Sequence, residues 1–407
     1  MRIALLPTPA LRSEWGSTLH GVLLAESLAA REDVHVYCQT LPTLSSRRAH
    51  YHDLPLPLAH PVLVDAGVSD VQFNDCIHAL VDAVVRDHSE RPFDVIHAHY
   101  ASFTALAALT ASTVTGAPFV VSSFGRDLNV GAERDGRYHR MALLTLSQAH
   151  AVIASNDDTA RDLATRFSVP PRRIVTIAMG VDHHLFSPRA YKPELRAALL
   201  GGAEHLLVNV ASCFGVEKGI EVLMTAVQRL ARRGFSLSLA IIGEDDYLDR
   251  REEMRLRRYA DDLGLAREIA FLGRVPHHDI PDYLAAADLL VDSRLVGSFS
   301  SAVLEALFMR VPAVIPAFPS NETWFADGEV GLRHLSGDAG DLAEKVARTL
   351  SDAELRRTIA AALPGWASRQ GARFNADHMR DQTIDLYHLV IEQAAGELAQ
   401  RSRRALK

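Results

Sequence analysis

Residues 297–306, reading GSFSSAVLEA, lie between two β-branched apolar runs at 289–292 and 311–315. The run before them predicts a strand. The run 301–309 predicts a helix that buries Val303, Leu304, Leu307 and Phe308. A strand that leads through a small-residue loop into a helix, and then into another strand, needs a parallel sheet. Few chain segments restrict the fold so tightly. Ser300 or Ser301 is the expected N-cap, since either hydroxyl can accept from a first-turn amide. The free amides at such a helix start carry partial positive charge and suit a phosphate. Glu305, one turn further in, is placed to accept from a ligand hydroxyl.

The same order recurs along the chain. Apolar runs at 2–6, 34–37, 94–99, 119–122, 151–155 and 174–177 predict a first set of strands. Runs at 206–211, 237–243 and 270–275 begin a second set, and amphipathic stretches such as 19–30 and 379–398 predict the helices between and after them. A chain of 407 residues exceeds what one hydrophobic core usually supports. We therefore expect two Rossmann-like parallel-sheet domains, with ligands at the carboxyl ends of their strands. Pro188 and Pro193 bracket the expected linker. The first domain is placed at 1–187 and the second at 188–374. Gly16 and Ser17 precede the first helix, where a glycine lets backbone amides approach an anion. No GxGxxG follows the first strand, which disfavours a dinucleotide enzyme.

A net charge of −7 argues against nonspecific nucleic-acid binding. Three scattered cysteines without a CxxC pair point to a reducing compartment and no structural zinc. The N-terminal apolar run is broken by Pro7 and Pro9 and reads as a buried strand, not a signal peptide. No stretch reaches the roughly 20 apolar residues of a membrane span. The expected location is cytoplasmic. The alternating charges of 248–263 read as a solvated helix face.

GSFSSAVLEALFMRVPAVI resembles the donor-binding segment of retaining family 4 glycosyltransferases, which have the GT-B fold. That segment typically reads E-S-F-S-N-A-L-L-E-A-M-A-x-G-V-P-V-I. Further likenesses are DVIHAHY at 94–100, FGRDL at 124–128 and IVTIAMGVDHHLFSP at 174–188, where Gly180, Val181, Asp182, Phe186 and Pro188 match. In the second half they are ASCFGVEKG at 211–219, AFLGRV at 270–275 and the tract from Ser320 to Val346. The resemblance covers nearly the whole chain and is strongest over 174–346. Three positions depart from the family pattern. Phe124 stands where His is common, Cys213 where Arg is usual, and Gly297 where the first of two Glu residues normally contacts the transferred sugar.

The resemblance implies two domains facing across a cleft, with final helices at 366–374 and 379–398 and the last of them, about 375–407, crossing back to complete the first domain. It also implies transfer of a sugar from a UDP- or GDP-sugar to an acceptor hydroxyl with retention. No cofactor and no metal are expected, the nucleotide sugar being a substrate. It assigns the donor to Gly16, Lys218, Arg274, Val275, Gly297, Ser298, Phe299, Ser300, Ser301 and Glu305, with Glu305 on the ribose and Lys218 on the diphosphate. Lys218 and His99 are the catalytic candidates. Ser17, His97, Phe124, Arg126 and Asp127 are placed on the acceptor side, and Asn321 and Glu322 in a polar loop near sugar or diphosphate. His97 and His99, two apart on a strand, share a face, but a zinc pair there lacks a third ligand at useful spacing. The acceptor, whether carbohydrate, lipid or small molecule, stays open. The three departures leave two alternatives: a catalytically silent GT-B protein that binds a nucleotide or a partner, and a GT-B sugar-nucleotide epimerase.

Overall fold

The computed structural model describes residues 1–7, 16–39, 41–42, 47–56, 70–125, 127–128, 136–211, 214–245, 250–296 and 300–405. The chain forms two units. Ser17–Gly180 and Phe374–Lys407, together with the first strand, make one, and Val181–Arg373 makes the other.

In the first unit the strands are β1 (Arg2–Leu6), β2 (Asp33–Cys38), β3 (His50–Asp53), β4 (Val95–His99), β5 (Phe119–Ser123), β6 (Ala151–Ala154) and β7 (Ile174–Thr176). They form a parallel sheet in the order β3-β2-β1-β4-β5-β6-β7. Side chains alternate across it, as the period of two requires. Ala4, Leu6, Ile96, Ala98 and Val121 face helices Asp70–Glu90, Phe103–Thr115 and Gly136–Gln148. Ile3, Leu5, Val95 and Val120 face helix Gly16–Leu28 and the C-terminal helix Ala376–Ala405, which buries Met379, Leu386, Tyr387 and Val390. After completing the second unit, the chain thus returns to the first. Gly180 meets the returning segment so closely that an added Cβ would lie 2.6 Å from the Ala376 Cα.

In the second unit β8 (His205–Val210), β9 (Leu237–Ile242), β10 (Ile269–Gly273), β11 (Leu289–Val291), β12 (Ala313–Pro316) and β13 (Gly331–His334) make a parallel sheet in the order β10-β9-β8-β11-β12-β13. Its strands read as continuous apolar runs because both faces are covered.

Two local expectations are corrected, and one strand was not foreseen. The segment 366–374 is not a helix of its own: Trp366 lies inside helix Ala353–Gly371, which the Asp352 carboxylate caps by accepting from the Glu354 and Leu355 amides at 3.0 Å each. The charged helix Arg251–Asp262 is not wholly a solvated face, because Glu253 is buried and held by Arg250 at 2.6 Å and Arg257 at 2.9 Å. Strand β3, HYHD, was hidden from an apolar-pattern reading, since an edge strand with this composition carries no apolar run. Among the described residues no helix is long and apolar enough to cross a membrane.

Candidate functional site

In the second unit the chain leaves β8 toward β9 on one side and reaches β11 on the other. The crevice beyond the carboxyl ends of these two neighbours is where open α/β sheets place ligands. After β8 comes the 3-10 turn Val216–Lys218, then Gly219 with φ +63°. After β11 come Asp292, Ser293 and Arg294. The two connections are stitched together: the Ser293 hydroxyl donates to the Lys218 carbonyl at 2.9 Å, and the Leu295 amide to the Glu217 carbonyl at 2.9 Å. Gly219 is dictated by this seam, since a Cβ there would lie 2.0 Å from the Ser293 carbonyl oxygen. The Lys218 side chain is half-buried, and its ammonium has no hydrogen-bonding or ionic partner among the described residues.

The helix Ser301–Phe308 opens from the β11 connection, with Ser300 at its N-cap in extended conformation (φ −126°, ψ 117°). The expected side-chain cap is absent. Asp338 and Asp352 cap their helices in the same unit, whereas no N-cap side chain serves the first-turn amides behind Ser300 among the described residues. Glu305 is 5% exposed, and its Oε1 accepts from His277 Nε2 at 3.1 Å. His277 belongs to the turn His277–Asp279 after β10, and its ring rests 4.9 Å from that of Phe186. Arg274 Nη1 lies 3.4 Å from Glu244 Oε1, and Val275 is buried.

Asp292 and Arg294 form the buried charge pair of this crevice, with Arg294 Nη2 at 2.8 Å from Asp292 Oδ2 and Nε at 3.0 Å from both carboxylate oxygens. Burial alone would push the Asp292 carboxyl up. The Arg294 guanidinium outweighs it and holds the group below its usual range. Sequence reading gave neither residue a role and took His277 for a loop residue. Asn321 and Glu322, by contrast, have internal partners. The Asn321 amide donates to the Pro316 carbonyl at 2.9 Å, and Glu322 pairs with Arg333 at 3.0 Å. Gly297, Ser298, Phe299, Cys213 and Arg126 lie outside the described residues. Gly16 and Ser17 start the helix Gly16–Leu28, and only their backbone is described.

In the first unit the corresponding crevice lies beyond the carboxyl ends of β1 and β4, neighbours in the sheet. His99 ends β4. It is fully buried, and neither ring nitrogen has a hydrogen-bond partner among the described residues. His97 is turned inward and fully used: Nδ1 meets the Tyr387 hydroxyl at 2.5 Å and Nε2 the Ser122 hydroxyl at 2.7 Å. Burial holds the imidazoles neutral, lowering His20 to about 4, His97 to about 3 and His99 well below its ordinary value. Phe124, half-exposed at the end of β5, packs its ring 4.8 Å from His20, 5.2 Å from Tyr100 and 5.6 Å from His99. Tyr100 sits at φ +69°, a strained value for a bulky residue and one that tends to mark functional sites. The Asp127 carboxylate accepts from the Ala101 amide at 2.9 Å, the Ser123 hydroxyl at 3.0 Å and the Phe124 amide at 3.2 Å. It braces the loops that carry Tyr100 and Phe124. Neither crevice brings together three metal-ligating side chains among the described residues; the grouping His35–His52–Asp87 lies elsewhere in the first unit.

Comparison with known proteins agrees with this architecture. Residues 19–202 match the family model described as glycosyl transferase 4-like domain, and residues 193–364 the one described as glycosyl transferases group 1. The D-inositol 3-phosphate glycosyltransferase of Stackebrandtia nassauensis is 25% identical over 343 residues, 81% of this chain and 76% of that protein. That of Pseudarthrobacter chlorophenolicus is 25% identical over 392 residues, covering 91% and 90%. Among solved structures, sucrose-phosphate synthase from Thermosynechococcus elongatus superposes with a TM-score of 0.79 at 20% identity, covering 97% of this chain and 100% of that one. Anabaena HepE in complex with UDP and glucose gives 0.76 at 19% identity, covering 95% and 99%.

Proposed function

The chain belongs to the family 4-like, group 1 glycosyltransferases, enzymes of nucleotide-sugar glycosyl transfer, and from that premise we propose that it moves a sugar from a UDP-sugar to an acceptor hydroxyl with retention at the anomeric carbon. The observation that carries this reading is the seam in the second unit. Lys218, the uncapped start of helix Ser301–Phe308 and Glu305 all stand beyond the carboxyl ends of adjacent strands β8 and β11.

A diphosphate placed there meets first-turn amides and the Lys218 ammonium. Both are more favourable once the glycosidic bond breaks and negative charge builds on the leaving oxygen. Glu305 accepts from the ribose hydroxyls, which do not change during reaction. In the step itself, the bond from the sugar anomeric carbon to the diphosphate oxygen breaks. The acceptor oxygen bonds to the same face of that carbon, and its proton passes to the leaving diphosphate. No protein base is required, which fits the neutral His99 and the phenylalanine at position 124. UDP is favoured as the nucleotide by HepE, solved with UDP, and a small polyol or carbohydrate acceptor by the inositol-phosphate enzymes among the relatives.

The test is to offer a panel of UDP- and GDP-sugars with polyol and glycoside acceptors, follow nucleotide release, and assign the product anomer by proton NMR. An α-linked product from an α-linked donor supports the reading. An inverted anomer, epimerised donor or nucleotide binding without transfer overturns it.

A further inference from the structure

Strand β3 lies against β2 in a register that pairs His35 with His50 and Tyr37 with His52. Residues 33, 35 and 37 share one face of β2, and helix Asp70–Glu90 brings Asp87 to it, where the Tyr37 hydroxyl donates to Asp87 Oδ2 at 2.8 Å. His35 Nδ1 stands 3.0 Å from His52 Nε2. One ligating atom from each of His35, His52 and Asp87 lies within 4.8 Å of the other two. The outer nitrogen of His35, Nε2, is 3.2 Å from Asp33 Oδ1, and the Asp87 carboxylate stands beside the His52 ring, with Oδ2 at 3.5 Å from Nδ1. Arg2 Nε also approaches His35 Nε2, at 3.3 Å, and pairs with Asp33 Oδ2 at 3.6 Å. The side chains of His35, His52 and Asp87 are 14%, 31% and 16% exposed, so solvent reaches the cluster without flooding it.

We propose that His35, His52 and Asp87 bind a divalent transition-metal ion, zinc being the best match, and that the ion clamps edge strand β3 to helix Asp70–Glu90. Nitrogen donors on a tetrahedral zinc sit about 3.4 Å apart. The two imidazoles already hold that spacing to within a few tenths of an ångström, and the carboxylate has only to swing in. Two histidines and a carboxylate, with a fourth position left to water, form a donor set zinc accepts. The carboxylate behind His35 is the kind of outer partner that orients a ligating imidazole. Strand β3 has no buried residue of its own, and beyond its ladder with β2 it is tied down by Tyr51, whose hydroxyl donates to Glu26 at 2.8 Å. The cluster lies on the face of the sheet that helix Asp70–Glu90 covers, whereas His97 and His99 lie on the opposite face, which meets Tyr387. Its role is therefore structural, independent of sugar transfer.

The full chain, stripped with EDTA, is titrated with zinc chloride by calorimetry and with cobalt chloride by visible absorption. The expected result is one tight ion per chain, a tetrahedral cobalt spectrum and a raised melting temperature. His52→Gln and Asp87→Asn keep hydrogen-bonding capacity and so preserve the fold. Each should weaken zinc binding at least tenfold and remove the thermal shift. His278→Ala, an exposed histidine of the other unit, should change nothing and controls for the chain's 19 histidines. Absence of a one-to-one zinc event, or zinc binding equal in the wild type and both cluster variants, overturns the proposal.

Discussion

His277 Nε2 donates to Glu305 Oε1 at 3.1 Å, joining the turn after β10 to the helix after β11. The bond fixes one oxygen of a carboxylate that is otherwise buried among apolar neighbours, so the other is presented in one orientation. If Glu305 holds the ribose, the two residues act as a unit. Glu305→Ala should weaken UDP binding by roughly 1.5–3 kcal/mol, and His277→Ala by less. The double variant should fall short of the sum, with a coupling of about 0.5–3 kcal/mol. Calorimetry on the four proteins decides. Additive losses would mean that His277 does not orient Glu305.

The seam between Gly219 and Ser293 gives a stability prediction. Gly219→Ala combines a left-handed backbone with a Cβ 2.0 Å from a carbonyl oxygen that belongs to the opposite connection. Gly202 has φ +96° and open space around its missing Cβ, so Gly202→Ala isolates the backbone cost, about 1–3 kcal/mol. Urea denaturation should show Gly219→Ala losing clearly more than Gly202→Ala. Equal losses would remove the steric seam as a constraint on the Lys218 turn.

How much of this was legible beforehand follows from burial. The central strands announce themselves because parallel strands covered on both faces are largely apolar; AVIA, LLV and AVIP are so throughout. Lys218-Gly219 and the Ser301 helix were legible as local motifs. What stayed hidden are partners separated in sequence. His277 and Glu305 are 28 residues apart, Lys218 and Ser293 75, and His97 and Tyr387 290. Spacing along the chain says nothing about such pairs. A readable signal was passed over at Asp352, where an Asp two residues before a Glu marks the start of helix Ala353–Gly371. For His97, same-face spacing with His99 left cleft and core both open, and only the family resemblance placed it on the acceptor side. The sheet instead turned it toward Tyr387 and the core.

Asp292 and Arg294 link stability to pH. The folded Asp292 carboxyl is held below its unfolded value, so the pair contributes stability that is present above the unfolded carboxylate range and lost as pH falls through the folded value. Arg294→Met removes the partner and leaves a buried charge, which should cost about 3–5 kcal/mol at neutral pH. The carboxyl would then be raised instead of lowered. The variant should therefore regain relative stability as pH drops, where the wild type loses it. Urea midpoints of both proteins from neutral to acid pH test this. Parallel profiles would show that Arg294 does not set the Asp292 charge.

Gly297→Glu restores the family's first carboxylate in a protein that lacks it. If the native donor is held by another group or lacks the hydroxyl that Glu binds, the added side chain should not raise turnover. Left without its partner, it should weaken donor binding by roughly 1–3 kcal/mol. Initial rates across the donor panel are the measurement. A variant that transfers where the wild type is silent would mark the natural chain as a catalyst that has lost a working part.

Lys218 separates catalysis from binding. Charge on the leaving diphosphate grows toward the transition state, so an ammonium beside it contributes more there than in the bound donor. Removing one preorganised group of this kind typically lowers turnover about 10²–10³-fold. Lys218→Ala should therefore reduce kcat by around that factor while UDP affinity falls much less. Lys218→Arg should recover part of the rate, because charge is kept while the geometry shifts. Glu305→Ala should do the reverse, raising KM and sparing kcat, because the ribose is unchanged as the bond breaks. Single-turnover rates at saturating donor, paired with calorimetric UDP affinities, distinguish the two patterns. If Lys218→Ala loses binding and rate in equal measure, the lysine is a donor anchor only, and transition-state stabilisation rests on the helix amides behind Ser300.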